Sequence, residues 1–126
     1  MIVLDTSILI DALTGPKRSA PLLRKTIERG ERLLVPSLVL YEWLRGPRTR
    51  HELEAQEALF PSQSAVPFGT TEATTAARIY GSLQRPRGRE IDIAIAAVAI
   101  CRDSHLWTLN ARDFEDLPEL RLFQPS

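Results

Sequence analysis

Short apolar runs alternate along this chain with stretches of helix length, and that alternation constrains the fold more than any other feature. Residues 2 to 5 read as a buried strand, Arg32 to Val35 as a second, Ser64 to Phe68 as a third, Leu106 to Leu109 as a fourth and Leu120 to Phe123 as a fifth. Helices fill the intervals. One runs through Ile8 to Leu13 and is stopped by Gly15-Pro16; the next starts near Ser19, places Leu22, Leu23 and Ile27 on one face and ends at Gly30. Ser37 is positioned to cap a third, which buries Leu40, Tyr41 and Leu44 until Gly46-Pro47 breaks it. A charged, exposed helix spans His51 to Phe60, and another opens at Thr70 or Thr71, with Glu72 behind, and reaches about Leu83. The last, Glu90 to Cys101, mixes Ile91, Ile95 and Val98 with four alanines, the composition of a helix packed closely on both sides. Strands alternating with helices imply an α/β fold of three layers, α/β/α, around a short, mainly parallel sheet of about five strands.

At 126 residues, the chain is expected to form one domain over 1–126. Hydrophobic residues make up 44% and charged residues 25%, proportions that argue against a disordered or fibrous chain. No apolar run approaches the roughly 20 residues of a membrane helix, and the N-terminus lacks a signal sequence, so a cytoplasmic protein is expected. The single cysteine, Cys101, has no internal partner for a disulfide. Formal net charge is zero, so attraction to a polyanion has to come from local clusters. Of the basic residues 14 are Arg and 2 are Lys, and they gather at Arg45, Arg48 and Arg50 and at Arg85, Arg87 and Arg89. Guanidinium groups bind phosphates through paired donors, which makes these loops candidate RNA contacts; solvated loops are the equal alternative.

Ligands of open parallel sheets bind beyond the carboxyl ends of the strands. Asp5 stands at such an end, Glu42 in the helix after the second strand, Asp92 in the first turn of the alanine-rich helix, and Asn110 and Asp113 just after the fourth strand. Each has a plainer explanation: Asp5, Asp92 and Asp113 as caps, Glu42 as a partner for Arg45. Their apolar company tips the balance, because Glu42 lies between Tyr41 and Trp43 and Asp92 between Ile91 and Ile93. Partly buried carboxylates that repel one another are relieved by a divalent cation, and oxygen donors without nearby Cys or His favour Mg²⁺ or Mn²⁺ over zinc.

Four segments carry a resemblance: Val3-Leu4-Asp5-Thr6-Ser7, Ser37 through Gly46, Asp92-Ile93-Ala94-Ile95-Ala96-Ala97, and Thr108-Leu109-Asn110-Ala111-Arg112-Asp113-Phe114. In order and spacing the chain resembles the PIN-domain ribonucleases, and more closely the VapC toxins of toxin–antitoxin pairs. The resemblance implies metal-assisted hydrolysis of RNA phosphodiesters at an acidic site. In that reading Asp5 and Asp92 hold Mg²⁺ or Mn²⁺ directly or through water, Glu42 shares the ion or orients the attacking water, and Ser7 is a polar neighbour. Many members carry an acid where this chain has Asn110, leaving Asn110 and Asp113 as candidates for the fourth position and the number of ions open. Arg89 and Arg112 are the arginines placed to contact flanking phosphates. A homodimer and a VapB-like antitoxin whose C-terminal segment blocks the site are further implications. His51 and His105 fit no motif and are expected at the surface, while Trp43, Tyr80 and Trp107 are expected in the core.

Two rivals stand beside this reading. A haloacid-dehalogenase-like phosphatase also starts with an apolar strand ending in Asp, but needs a second acid where Ser7 stands, and no later lysine of this chain suits the usual phosphate partner. A PIN-like module that binds RNA or protein without cleaving remains compatible with the neutral Asn110.

Overall fold

A computed structural model of the chain describes residues 1–125. Its sheet consists of β1 (Ile2–Leu4), β2 (Leu33–Leu34) and β3 (His105–Trp107), all parallel and ordered β2-β1-β3. The N-terminal strand is therefore central, and all three of its residues are buried, as a strand covered on both faces requires. Parallel neighbours need long crossovers, which six helices supply: α1 (Thr6–Leu13), α2 (Ala20–Glu28), α3 (Ser37–Arg45), α4 (Arg50–Leu59), α5 (Thr70–Ser82) and α6 (Glu90–Cys101).

The sheet has three strands where five were expected. The segments around Val66 and Leu122 pair through one bridge each, to Pro36 and to Leu106, so they extend the sheet at either edge without forming ladders. At the first edge Val66 donates its N–H to the Val35 carbonyl and accepts from Ser37, at 2.9 and 2.8 Å. Pro36 and Pro67 lack N–H groups, and the pairing ends there. At the other edge Leu106 donates to the Arg121 carbonyl and accepts from Phe123 (2.9 and 2.7 Å), with Pro125 just beyond.

Helix α6 packs as its alanines suggest, touching β1, β3, α3 and α5 and burying Ile93, Ile95 and Ala96 through Ala99. Two other helix faces differ from expectation. In α2 the buried residues are Leu23 and Thr26, and Leu22 and Ile27 are exposed. In α3 they are Val39 and Trp43, one turn apart, which turns Tyr41 (56% exposed) and Leu44 (50%) outward and leaves Leu40 at the margin. Ser37 is the first helical residue of α3, not its cap; Pro36 holds that position. Trp43 and Trp107 lie in the core, while Tyr80 is exposed. One apolar cluster joins β1, β2 and β3 to α1, α3 and α6 and takes in Phe114 and Leu117 from the segment after β3. Among the described residues no helix is long and apolar enough to cross a membrane.

Candidate functional site

The chain leaves β1 at Asp5 and enters α1 at once, so this carboxylate is fixed at the junction of a central strand and a helix N-terminus. Its N–H donates to the Trp107 carbonyl at 3.0 Å, tying it to the end of β3. Asp5 occupies the cap position of α1 with extended backbone (φ −75°, ψ 158°), yet its side chain makes no capping bond. Instead Oδ2 accepts from Ser7 Oγ at 2.9 Å and from Thr108 Oγ1 at 2.7 Å. Each hydroxyl is fixed from behind, because the Leu109 N–H donates to Ser7 Oγ and the Asn110 N–H to Thr108 Oγ1, both at 3.0 Å. A hydroxyl has one proton, so both protons are committed to the same carboxylate oxygen. Asp5 is only 4% exposed. Its Oδ1 takes no hydrogen bond among the described residues. The geometry thus removes the simple capping explanation and leaves one oriented, unengaged oxygen.

Glu42 projects from α3 toward the start of α1. Thr6 Oγ1 donates to its Oε1 at 2.5 Å, and Arg45 approaches Oε2 at 3.4 Å. The Arg45 pair considered from sequence is therefore present, but it is long, its guanidinium is exposed, and such pairs contribute little. The Glu42 side chain is 19% exposed, beside the fully buried Trp43.

Asp92 is the third residue of α6 and partly buried. Burial raises its carboxyl pKa to about 6, helped by repulsion from Asp5, Asp113 and Glu42 and opposed by Arg89. Three carboxylates distant in sequence therefore act on this one group. Asp113 does so from an exposed 3₁₀ turn, Ala111–Asp113, while Asn110 stands at the exposed start of that turn. Arg112 is exposed on the same turn. Arg89, expected from sequence to meet a phosphate, points into this segment. Its two terminal nitrogens donate to Asp116 Oδ2 and Oδ1 at 2.9 and 2.6 Å, and one of them also donates to the Asp113 carbonyl at 3.0 Å.

Thr6, Thr108 and Asp116 were not singled out in the sequence. Thr6 and Thr108 directly follow Asp5 and β3, so their place at strand ends was the available signal; Asp116 offered none.

Among the described residues no three His, Cys, Asp or Glu side chains form a group that could hold a metal ion. The donor chemistry points to a smaller set, Asp5 and Asp92. Both are hard oxygen donors, one carries an unengaged oxygen, and the other is held above its ordinary pKa by burial and like charge. Two carboxylates are enough for a hard divalent cation that keeps several of its waters.

Comparison with known proteins adds the lineage. The sequence pattern of the PIN domain matches residues 2–120. This chain belongs to the PIN domain family. Ribonuclease VapC19 of Mycobacterium tuberculosis is 40% identical to this PIN domain over 127 residues, spanning 96% of this chain and 98% of its own. DNA-bound VapBC from Salmonella typhimurium superposes with a TM-score of 0.81 at 23% identity, covering 97% of this chain and 96% of the matched one. A toxin–antitoxin complex from Klebsiella pneumoniae gives 0.73 at 19% identity, covering 100% and 98%. At these identities the two structures speak for the three-layer fold, and the VapC relative places this PIN domain among the VapC proteins.

Proposed function

We propose that this PIN domain, a single unit over residues 1–126, is a metal-dependent ribonuclease that hydrolyses RNA phosphodiester bonds, and that it is the toxin of a type II toxin–antitoxin pair. The observation that carries the chemistry is the pairing of Asp5, with Oδ2 bound twice and Oδ1 unengaged, with Asp92, a carboxyl raised to about 6 by burial and by neighbouring acids. Family membership and the ribonuclease named VapC19 support the substrate class.

Asp5 and Asp92 would hold Mg²⁺ or Mn²⁺, in part through water. Such an ion, when bound, stabilises charge on phosphoryl oxygens and lowers the pKa of water. Ser7 and Thr108 hold Asp5 by Oδ2 and keep it from rotating, and Oδ1 would be the oxygen left for an ion. Glu42, steadied by Thr6 at Oε1 and only loosely paired with Arg45 at Oε2, orients the attacking water. Asp113 supplies the fourth acid. Asn110, neutral and exposed, offers an amide to the RNA at the rim, and Arg112 on the same turn meets a flanking phosphate. With zero net charge, RNA binding depends on these local contacts and on the arginine loops.

The solved VapBC and toxin–antitoxin complexes of similar fold support a VapB-like antitoxin as partner; a C-terminal antitoxin segment that blocks the acidic site is what the family resemblance implies. The exposed Tyr41 and Leu44 on α3 offer apolar surface for a homodimer. The cytoplasm is the compartment where such a pair would act.

The test is incubation of the purified protein with total RNA and Mg²⁺ beside an Asp5→Ala control, with the 5′ ends of the products mapped. Cleavage by the wild type alone supports the reading. Equal cleavage by both proteins marks a contaminant, and RNA binding without cleavage would replace the enzyme with a non-cleaving module.

A further inference from the structure

Arg89 is the cap residue of α6, three positions before Asp92, and its side chain leaves that helix to grip the segment after β3. Both carboxylate oxygens of Asp116 take a bond from it, at 2.6 and 2.9 Å, in the forked geometry that makes arginine pairs directional. A third bond, 3.0 Å, reaches the backbone carbonyl of Asp113 itself. The side chain of Arg89 is 23% exposed and that of Asp116 55%, so the pair closes over the outside of the turn. Within the turn, Asp113 N–H donates to the Asn110 carbonyl at 2.9 Å and Phe114 N–H to the Ala111 carbonyl at 3.0 Å. Phe114 and Leu117 are buried and anchor the segment in the core; among the described residues it is the Arg89 side chain that reaches Asp113 from α6 by a hydrogen bond.

We infer that Arg89 is a positioning residue for Asp113: by clamping Asp116 and the Asp113 carbonyl it fixes the 110–116 turn against the start of α6, holding Asp113 toward Asp92. This deepens the proposed nuclease reading and rests on it. It also assigns Arg89 a job other than phosphate contact, because its terminal nitrogens are already directed into the chain.

The two roles separate in a double-mutant cycle of Arg89→Ala, Asp116→Ala and the double variant, with Arg89→Lys as the conservative substitution. A clamp makes the single variants alike and the double no worse than either. Each is expected to lower kcat and weaken Mn²⁺ binding by roughly tenfold with little change in KM, and to speed hydrogen exchange at the Asp113 and Phe114 amides by a similar factor. Arg89→Lys, which keeps the charge on one nitrogen but not the fork, should recover part of the loss. Melting temperature should fall by no more than about 3 °C, as for an exposed pair. The inference is overturned if Asp116→Ala behaves as wild type, or if Arg89→Ala raises KM alone and leaves exchange and Mn²⁺ binding unchanged. Exchange is measured without RNA, so an inactive wild-type protein would defeat the nuclease reading while the clamp is still decided.

Discussion

Asp5 and Asp113 both act on Asp92, but from different foundations. Asp5 is buried at the end of a central strand, and its orientation is set by two hydroxyls that are themselves held by backbone amides. Asp113 rides on an exposed 3₁₀ turn, fixed from outside by an ion pair. The contrast teaches that one side of the site is built as part of the fold, whereas the other is attached to it. Substitutions on the Asp5 side should therefore cost stability as well as activity, and substitutions on the turn should cost activity with little loss of stability.

The largest effect is expected for Asp5→Asn. Losing the proposed cation ligand should lower RNA cleavage by on the order of a thousandfold or more, read as single-turnover rate at saturating Mg²⁺. Next is Thr108→Val, which removes the proton given to Asp5 Oδ2 and the acceptor for the Asn110 N–H. Metal affinity should fall roughly 10- to 100-fold and unfolding free energy by about 1–2 kcal/mol, measured by calorimetry and urea titration. A stability loss without a change in affinity would show that the hydroxyls support the fold and not the carboxylate.

Asp92 gives the third test through pH. Its folded-state pKa, about 6, lies above the ordinary 3.8, so the unfolded chain releases this proton first as pH rises. The contribution to stability is complete below about 4 and is lost as pH climbs through about 6. The full shift corresponds to roughly 3 kcal/mol, which solvent screening at a partly exposed carboxyl reduces to about 1 kcal/mol. Metal-free Asp92→Asn should therefore exceed the wild type in stability at pH 7 by about that amount and match it near pH 4. Because the ion requires the carboxylate, wild-type Mg²⁺ affinity should fall as pH drops below about 6.

The smallest effect concerns α3. A Cβ on Gly46 would meet the Arg48 guanidinium at 2.7 Å, and that group lies 4.2 Å from the centre of the Trp43 ring. Gly46→Ala should displace Arg48 at a cost below about 1 kcal/mol and leave cleavage unchanged.

How much could be read from the sequence followed from how local each signal was. β1, Asp5 and the alanine-rich α6 were legible because a fully buried strand and a helix covered on both sides declare themselves by unbroken apolar runs. In α3 the sequence pattern points to Leu40, Tyr41 and Leu44 as the buried face, whereas Val39 and Trp43 take the core and Tyr41 and Leu44 are left outside. The two outer strands shrank to bridges because prolines remove the donors that would extend them. At the site, the acids were visible by charge and apolar company, but their supports were not. The place of Thr108 after β3 marks it as a strand-end residue but does not say which carboxylate it will meet 103 positions away, and the Arg89–Asp116 pair spans 27 residues.

Metal binding by the RNA-free protein bears most directly on the whole scheme. Titrating Mn²⁺ into wild type, Asp5→Asn and Asp92→Asn at pH 7.5 should give wild-type binding at millimolar or lower concentration and at least about tenfold weaker binding in both variants. Equal affinity in all three proteins would contradict it, because the ion would then sit somewhere other than between Asp5 and Asp92.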